Sequence, residues 1–297
     1  MVKTLNSCKI RKLGVIVNLR RERAPAVLKE LASLAIKHGL ALFTDKSSAS
    51  LLPNCICQSN KAFFSSIDAL MVLGGDGTML MAARELGLID KPIIGVNTGR
   101  LGFLTSIAEN ELEFAIKCLV KGNYSTDLRA VASCRVVSAS GKTSVFRALN
   151  DIVITRGSSV RVVTLNVSID NDLGTSYICD GLIVCTPTGS TGHSLSAGGP
   201  ILVPDADVFV INLICPHTLS SRPLVVPDNN EICVKVSSAH GETLLSVDGQ
   251  VSQNLAPGDT VNVTRSKKSV RFIHLPGYSY FSVLRQKLGW SGSVISK

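Results

Sequence analysis

The chain has 297 residues, of which 45% are hydrophobic, so it suits one large or two smaller globular domains and excludes an intrinsically disordered protein. Aromatic residues make up only 5%, which argues against a surface of stacked rings for single-stranded nucleic acid. The net charge of +9 indicates either a basic surface without a specific role or attraction of small polyanions such as nucleotides. Basic residues are scattered apart from the cluster at 20–23, and no helix-turn-helix or zinc-finger spacing occurs, so we expect no nucleic-acid partner.

The first part of the chain alternates between strand and helix patterns. We expect strands at 13–17, 41–43, 67–73 and 92–96, a helix from near Pro25 to Gly39, and helices at 79–86 and 109–119. The serine-rich residues 44–60 indicate a surface loop. This alternation predicts an α/β domain whose parallel sheet is covered by helices on both faces.

The loop after the strand at 67–73 is the most informative segment of the chain. It reads Gly74-Gly75-Asp76-Gly77-Thr78. Glycines bring backbone N–H groups close to a ligand, and such groups suit phosphate oxygens. A carboxylate in the same loop suits the removal of a proton from an attacking hydroxyl group. The pairing indicates phosphoryl transfer from a nucleotide to an alcohol, and the alternative is a tight turn without function.

A second glycine-rich loop, at 97–105, follows the next strand. Gly99 and Gly102 permit close backbone approach, and Arg100 adds a cation that can bind phosphate. In an open α/β sheet the ends of successive parallel strands point at one crevice, where ligands usually bind. Together the two loops therefore favour a binding site over two unrelated turns.

The pattern changes to short β-rich runs from 129 to about 273. Hairpin-type turns such as Ser140-Gly141 and Asp248-Gly249 separate the runs, and Asp248 is expected to serve only its hairpin. We therefore expect a β-rich second domain and a partly helical tail that packs back on the first domain. The predicted boundaries are 1–127, 128–273 and 274–297.

Two segments of the second domain combine polar groups. Residues 180–200 are rich in hydroxyl groups and small side chains, which suits contacts to a ribose, an amide or phosphates. His193 lies within this segment, and a lone histidine is more often a structural donor than a catalyst. The pair Asn150-Asp151 is either a turn cap or a ribose site, because a carboxylate can accept hydrogen bonds from both hydroxyls of a vicinal diol.

Nine irregularly spaced cysteines indicate small buried side chains in a reducing compartment. Cys55 and Cys57 lack the spacing of a zinc site, so we predict no metal held by protein ligands alone. No apolar run is long enough to cross a bilayer, and the one at 13–17 is too short for a signal peptide. We expect a cytoplasmic protein without a membrane partner, with a short organellar presequence as the alternative.

These segments together resemble the NAD kinase family. The Gly-Gly-Asp-Gly loop alone is shared with lipid kinases and phosphofructokinases, whereas the run from Thr186 to Thr191 is far more specific to NAD kinases. The matches follow the family's order over most of the chain. They are 74–78, 97–105, 150–151, 180–200, 216–223 and 283–290.

The resemblance implies phosphoryl transfer to the 2′-hydroxyl of the adenosine ribose of NAD, giving NADP. The donor would be ATP, another nucleoside triphosphate or polyphosphate, with a divalent cation, Mg²⁺, carried on the nucleotide. The resemblance also implies a two-domain NAD kinase-like fold, a homodimer or homotetramer whose neighbouring subunit helps complete the NAD site, and Asp76 as the general base. The residues implied to bind donor or NAD are Gly74, Gly75, Gly77, Thr78, Arg100, Phe103, Asn150, Asp151, Asp180, Thr188, Ser190, Thr191, His193 and Ser194.

The chain departs from the family pattern at two positions. Many members have glutamate in place of Asp151, so the contact of this shorter side chain with ribose is expected to be longer or water-mediated. Many also have Ala-Tyr in place of Gly192-His193, and a histidine ring stacks on a base over less area than a tyrosine ring. Two alternative functions are a diacylglycerol- or sphingosine-type lipid kinase and a non-catalytic NAD(P)-binding sensor.

Overall fold

The computed structural model of the chain falls into two units, one of which is interrupted in sequence by the other. The first lies within Met1–Leu128 and Val270–Lys297, and the second is Arg129–Ser269. The predicted boundary at 273 therefore differs from the observed one, because 270–274 form a strand of the first unit's sheet. The residues that the structure describes are 4–6, 8–44, 49, 55–57, 60–99, 102–157, 161–170, 172, 174–239 and 241–290.

The described residues of the first unit form a nine-stranded sheet. With strands numbered along the whole chain, these are β1 (Thr4–Asn6), β2 (Lys12–Val17), β3 (Ala41–Thr44), β4 (Ile56–Cys57), β5 (Ala69–Gly74), β6 (Ile93–Asn97), β7 (Ile107–Ala108), β8 (Tyr124–Arg129) and β21 (Val270–His274). They lie in the order β1-β8-β21-β6-β5-β2-β3-β4, and β7 pairs with β6 outside that path. The pairings from β4 to β21 are parallel, as the sequence predicts, whereas β1 is antiparallel to β8.

Four helices connect described strands of this sheet, and a fifth follows the last strand. They are α1 (Ala24–His38), α2 (Asn60–Ser66), α3 (Asp76–Leu86), α4 (Leu112–Lys121) and α6 (Tyr280–Leu288), and a 3₁₀ turn at Glu109–Glu111 precedes α4. The predicted first helix is confirmed: it has Pro25 in its first turn and ends at Gly39, whose φ of +64° closes the helix. Its apolar face, including Leu28 and Leu31, is buried in the unit's core with residues of β2 and β5.

The second unit is a sandwich of two antiparallel six-stranded sheets. The first sheet has the order β10-β9-β20-β17-β12-β13 and the second β16-β15-β14-β11-β18-β19, and one apolar core contains residues of both. The prediction of a β-rich domain is thus confirmed. Its elements are β9 (Ala132–Val137), β10 (Thr143–Ala148), β11 (Asp151–Arg156), β12 (Val163–Ile169), β13 (Thr175–Cys179), β14 (Gly181–Cys185), β15 (Val208–Ile214), β16 (Leu224–Pro227), β17 (Ile232–Ala239), β18 (Thr243–Val247), β19 (Val251–Leu255), β20 (Thr260–Arg265), α5 (His193–Ser196) and a 3₁₀ turn at Thr188–Thr191.

Local differences from the predicted elements have identifiable causes. The helix α3 begins at Asp76, three residues before the predicted start, because Gly75 is extended and serves as its N-cap. The helix α2 begins at the last residue of the predicted loop and is held by Phe63, which is buried beside Gly14 of β2. None of the helices within the described ranges is long and apolar enough to span a bilayer.

Candidate active site

The carboxyl ends of β2, β5 and β6 lie side by side in the first unit. Val17 pairs with Leu73, and Gly74 pairs with Asn97. From β2 the chain continues to β3 and β4 on one side, whereas β5 is followed by β6 on the other. The chain therefore reverses direction across the sheet between β2 and β5, which is the position where open α/β sheets bind ligands.

The carboxylate of Asp76 joins the two glycine-rich loops at this position. Its Oδ2 accepts a hydrogen bond from the backbone N–H of Phe103 at 2.8 Å, and its Oδ1 accepts one from Leu104 at 3.0 Å. A methyl group on Gly102 would overlap this carboxylate, so the close approach requires glycine. Each carboxylate oxygen has two lone pairs, and each therefore retains one for a substrate hydroxyl.

The remaining residues of the Gly-Gly-Asp-Gly loop surround the start of α3. Gly74 ends β5, Gly75 is the N-cap, and Gly77 lies in the first turn, where the helix dipole favours anions. Thr78 is buried, with its hydroxyl group packed against Gly74 and accepting a 3.4 Å hydrogen bond from Nδ2 of Asn18. Its side chain therefore supports the loop from within the protein.

Arg21 lies beside both loops and was not predicted as a site residue. A methyl group built on Gly75 would lie 3.5 Å from Nη2 of Arg21, and one on Gly99 would lie 3.6 Å from Nη1. The next basic residue, Arg23, instead pairs with Glu109 at 2.8 Å. The only sequence signal for Arg21 is the basic cluster at 20–23. Arg100, which was predicted to bind phosphate, lies outside the described residues.

A cleft of about 420 Å³ opens beside these loops and is lined in part by Asn97, Gly99 and Gln286. Its rim carries the ion pair of Arg23 and Glu109. The Nζ of Lys287 lies 5.5 Å from the ring centroid of Phe103, within range of a cation–π contact. The C-terminal helix α6 thus contributes to this edge of the sheet.

In the second unit, Asn150 and Asp151 form a tight turn at the start of β11. The carboxylate of Asp248 accepts hydrogen bonds from three successive backbone N–H groups, those of Leu149 at 2.9 Å, Asn150 at 2.7 Å and Asp151 at 3.1 Å. The backbone N–H of Asp248 in turn donates to the carbonyl of Asp151 at 2.9 Å. The expectation that Asp248 serves only its own hairpin is therefore wrong.

The buried position of Asp151 changes its acidity. Only 6% of the residue is exposed, and burial, followed by the negative charge of Asp248, raises the pKa of the Asp151 carboxyl group to about 7. Near neutral pH this side chain therefore exists in both protonated and ionised forms. Cys185, its partner on β14, does not compete as an anion, because burial raises the pKa of the thiol to about 11.

The segment after β14 wraps around this turn. The Thr186 hydroxyl donates to the carbonyl of Leu149 at 2.5 Å, and a methyl group on Gly189 would overlap the carbonyl of Asn150. The Oδ1 of Asn150 and the hydroxyl of Thr188 are buried and have no hydrogen-bond partner among the described residues. Unpaired buried polar atoms are costly and call for an explanation, and a bound ligand would supply their partners.

Other predicted residues of this segment fall into two groups. His193 is exposed at the start of α5, and Thr191 is partly buried on the preceding 3₁₀ turn. Ser190 and Ser194 are fully buried. The Ser190 hydroxyl donates to Pro187 at 2.7 Å and accepts from the backbone N–H of Leu202 at 3.0 Å, so it holds the segment together.

Asp180 is not brought to this cluster within the unit. On the neighbouring strand, Asp151 pairs with Cys185 and Thr155 pairs with Gly181, the residue after Asp180. At ~3.3 Å per residue, Asp180 therefore lies about 13 Å or more along the strand from Asp151. The Asp180 carboxylate instead pairs with Arg156 at 2.8 Å.

Comparisons with known proteins match the chain over both units. Two family models fit, the ATP-NAD kinase N-terminal domain over 13–124 and the ATP-NAD kinase C-terminal domain over 149–275. A protein of Chloroherpeton thalassium named NAD kinase is 41% identical over 94% of this chain and 98% of its own length. NAD kinase of Gemmatimonas aurantiaca is 44% identical over 76% of this chain and 78% of its own.

Two solved structures share the fold. Yeast NADH kinase complexed with NADH has a TM-score of 0.90 and covers 97% of this chain and 90% of its own. An NAD kinase from Archaeoglobus fulgidus in complex with ATP has a TM-score of 0.73 and covers 94% of this chain and 97% of its own. Each is 23% identical to this chain, so these matches concern architecture alone.

Proposed function

The chain belongs to the NAD kinase family, and from that premise we propose which of its residues perform the reaction. It is a phosphotransferase that phosphorylates NAD. Both domain models match, not only the loop shared with lipid kinases, so the lipid-kinase alternative is not favoured. The assignment of the reacting residue rests on one observation, the Asp76 carboxylate held by two backbone N–H groups at the switch point of the sheet.

Asp76 is the general base in this proposal. A ribose hydroxyl is a poor nucleophile, and a carboxylate within hydrogen-bond reach accepts its proton as the bond to phosphorus forms. The phosphoryl transition state is loose, so alignment and charge neutralisation provide most of the acceleration. The bonds from Phe103 and Leu104 fix both oxygens of the carboxylate and so hold it in one orientation.

In this proposal the donor phosphates bind at Gly74, Gly75 and Gly77. Glycine leaves the backbone N–H groups accessible there, at the N-terminus of α3. Thr78 acts by supporting Gly74 from beneath. The donor is ATP and the cation is Mg²⁺, which prefers to bind through substrate phosphates and few protein carboxylates. When bound, the cation neutralises negative charge on the transferred group.

Arg21 contributes a cation to the donor phosphates. We expect Arg21→Gln to raise KM for ATP ~10-fold or more, because a hydrogen bond between charged groups contributes about 1.5–3 kcal/mol. KM for NAD is expected to stay within twofold of the wild type. Arg23→Gln is the matched control, because Arg23 already pairs with Glu109. Equal KM values for ATP in the two variants would exclude a phosphate contact of Arg21.

NAD binds through the turn at Asn150 and Asp151 in this proposal. The ionised Asp151 carboxylate accepts hydrogen bonds from ribose hydroxyls, and the unpaired atoms of Asn150 and Thr188 find their partners on the ligand. Thr191 and His193 supply further contacts, with the exposed His193 ring stacking on a base, whereas the buried Ser194 supports this segment from within. Asp180 lies away from this turn, so in this proposal it contacts a different part of NAD, in the site of a neighbouring subunit.

The chain assembles as a homodimer or homotetramer through its second unit in this proposal. The strands β13 and β16 end the two sheets and carry exposed apolar side chains, Ile178 on one and Leu224 and Val225 on the other. Leu219, before β16, is 99% exposed. Exposed apolar edge strands are the usual surfaces for pairing with a second copy. Light scattering that gives the mass of one chain would contradict this assembly.

The cysteines support a cytoplasmic location in this proposal. All nine are free thiols, and burial raises the pKa of Cys134 to about 12 and that of Cys179 to about 11. Such thiols are unreactive small apolar groups, typical of a reducing compartment. Fractionation of the source cells followed by immunodetection tests the location.

A coupled assay tests the function itself. The protein is incubated with Mg²⁺, NAD and either ATP or polyphosphate, and NADP is followed with an NADP-specific dehydrogenase. We expect NADP to form with ATP, and the polyphosphate arm measures the breadth of donor use. Binding of NADP without any turnover would favour the sensor alternative instead.

A further inference from the structure

We propose that Asp248 is a positioning residue for the acceptor site: it fixes the Asn150–Asp151 turn and, through its charge, sets the pH range over which NAD binds. This inference depends on the proposed role of Asp151 in NAD binding. It assigns a function to a residue of the hairpin between β18 and β19, which contributes no other residue to the site described above.

The geometry supplies the first part of the argument. Three successive backbone N–H groups converge on one carboxylate, and the backbone N–H of Asp248 returns a bond to Asp151, so the hairpin and the turn are locked together. Asp248 adopts a φ of +52°, an uncommon conformation that aspartate tolerates better than most residues. A two-residue hairpin turn requires positive φ at both central residues, and Gly249 has a φ of +65°, so the backbone of Asp248 serves its own hairpin while its carboxylate binds the other turn.

The charge of Asp248 supplies the second part. The Asp248 carboxylate accepts three N–H bonds from a turn that ends in a second, buried carboxylate, that of Asp151. Like charges at close range oppose ionisation, and the charge of Asp248 is, after burial, the second cause of the raised pKa of Asp151. Asp248 thus orders the turn and at the same time opposes the ionisation of Asp151.

The other titratable groups around Asp151 are few. The neighbouring strand β14 presents the buried thiol of Cys185, which remains protonated at neutral pH. The segment after it brings Gly192 close to Asp151, followed by the exposed His193. Among the described residues near Asp151, His193 is the one to control for, and the variant His193→Gln, whatever its affinity, is expected to keep the midpoint of the wild type.

The test is the affinity for NAD from pH 5.5 to 8.5, measured by calorimetry on the full chain. In the wild type we expect affinity to rise with pH through a midpoint near pH 7, because the ionised Asp151 is the stronger acceptor and offers both oxygens to the ribose hydroxyls, and to level off above the midpoint. Asp248→Asn removes the charge and keeps an oxygen that can accept two of the three N–H bonds. Its midpoint is expected to shift to lower pH, so the ratio of variant to wild-type affinity is higher at pH 6 than at pH 8.5.

Asp259→Asn is the matched control. The Asp259 carboxylate is buried, whereas Asp248 is partly buried, and it also accepts backbone N–H bonds, from Ala139 and Ala256 at 2.9 Å each, but it lies at another turn of the second unit. We expect this variant to lower the melting temperature without moving the midpoint of NAD binding. If Asp248→Asn does not fold, Asp248→Ser removes the same charge with a smaller side chain.

The outcomes separate this inference from the proposed function. If the ratio of the NAD affinities of Asp248→Asn and the wild type is the same at every pH, Asp248 has only a structural role and its role in setting the pH range is overturned. A pH step that persists in Asp151→Asn would show that another group titrates and would also overturn it. Failure of the wild type to bind NAD or to form NADP would instead overturn the proposed function.

Discussion

Replacement of Asp76 by asparagine is expected to lower kcat by ~10²–10⁴-fold, the usual contribution of a general base, while NAD still binds. An amide cannot accept a proton from the ribose hydroxyl. The carboxylate accepts hydrogen bonds from two backbone N–H groups, and the amide would place its own NH₂ group against one of them. One hydrogen bond is therefore lost, at a cost of about 1 kcal/mol in the free energy of unfolding. Steady-state kinetics, calorimetry with NAD and thermal melting measure the three effects separately.

Asp68→Asn is the control for the loss of a carboxylate elsewhere on the same strand. The Asp68 carboxylate also accepts two backbone N–H bonds, from Arg11 and Lys12 at 2.9 Å each, but it precedes β5 and so lies at the opposite end of that strand. Both bonds go to Oδ2, and an amide oxygen in that position keeps them, so we expect a smaller loss of thermal stability than in Asp76→Asn and an unchanged kcat. A kcat of Asp76→Asn close to that of Asp68→Asn would remove the assignment of Asp76 as the base.

Gly102→Ala is expected to lower kcat on the order of 10²-fold, the scale of a misplacement of about 1 Å at a reacting group. The new methyl group would overlap the carboxylate of Asp76, which must then rotate away from the N–H groups of Phe103 and Leu104. Both N–H groups then lose their acceptor, so we also expect thermal stability to fall at least as much as in Asp76→Asn.

Gly99→Ala is the comparison within the same loop. Its methyl group would make only an ordinary contact with Arg21, at 3.6 Å. We expect a decrease in kcat much smaller than that of Gly102→Ala. Equal losses in the two variants would indicate a general intolerance of the loop, and a normal kcat in Gly102→Ala would show that the position of Asp76 in this structure is not required for turnover.

The parts of the fold that follow from local pattern were predictable. Buried parallel strands are short apolar runs, and β5 and β6 stand out because glycine-rich loops follow them. The α/β domain, the β-rich domain and the family were all recovered on that basis. The strand Val270–His274 was assigned to the second domain because a lone apolar strand does not indicate which sheet it joins.

The site was predictable only where its residues are close together in sequence. Asp76 and the two glycine-rich loops were identified, and their meeting followed from the geometry of parallel strands. Asp248 was missed because its partners lie 97 to 99 residues away, and no local pattern distinguishes a carboxylate that serves its own turn from one that serves another. Arg21 was missed because Gly75 and Gly99, beside which it lies, are also distant from it in sequence. The binding roles of the other predicted residues stay predictions.

The position of β21 has a consequence for synthesis on the ribosome. This strand lies between β8 and β6 but is made only after the whole of Arg129–Ser269. Until then only Val96 and Asn97 of β6 are paired on that side, by β7, and Ile93 and Ile94, which are fully buried in the finished protein, lie along an open edge. The inserted sandwich is continuous and can form first, so a separate 129–269 fragment should give a cooperative melt by circular dichroism, whereas a 1–128 fragment should aggregate.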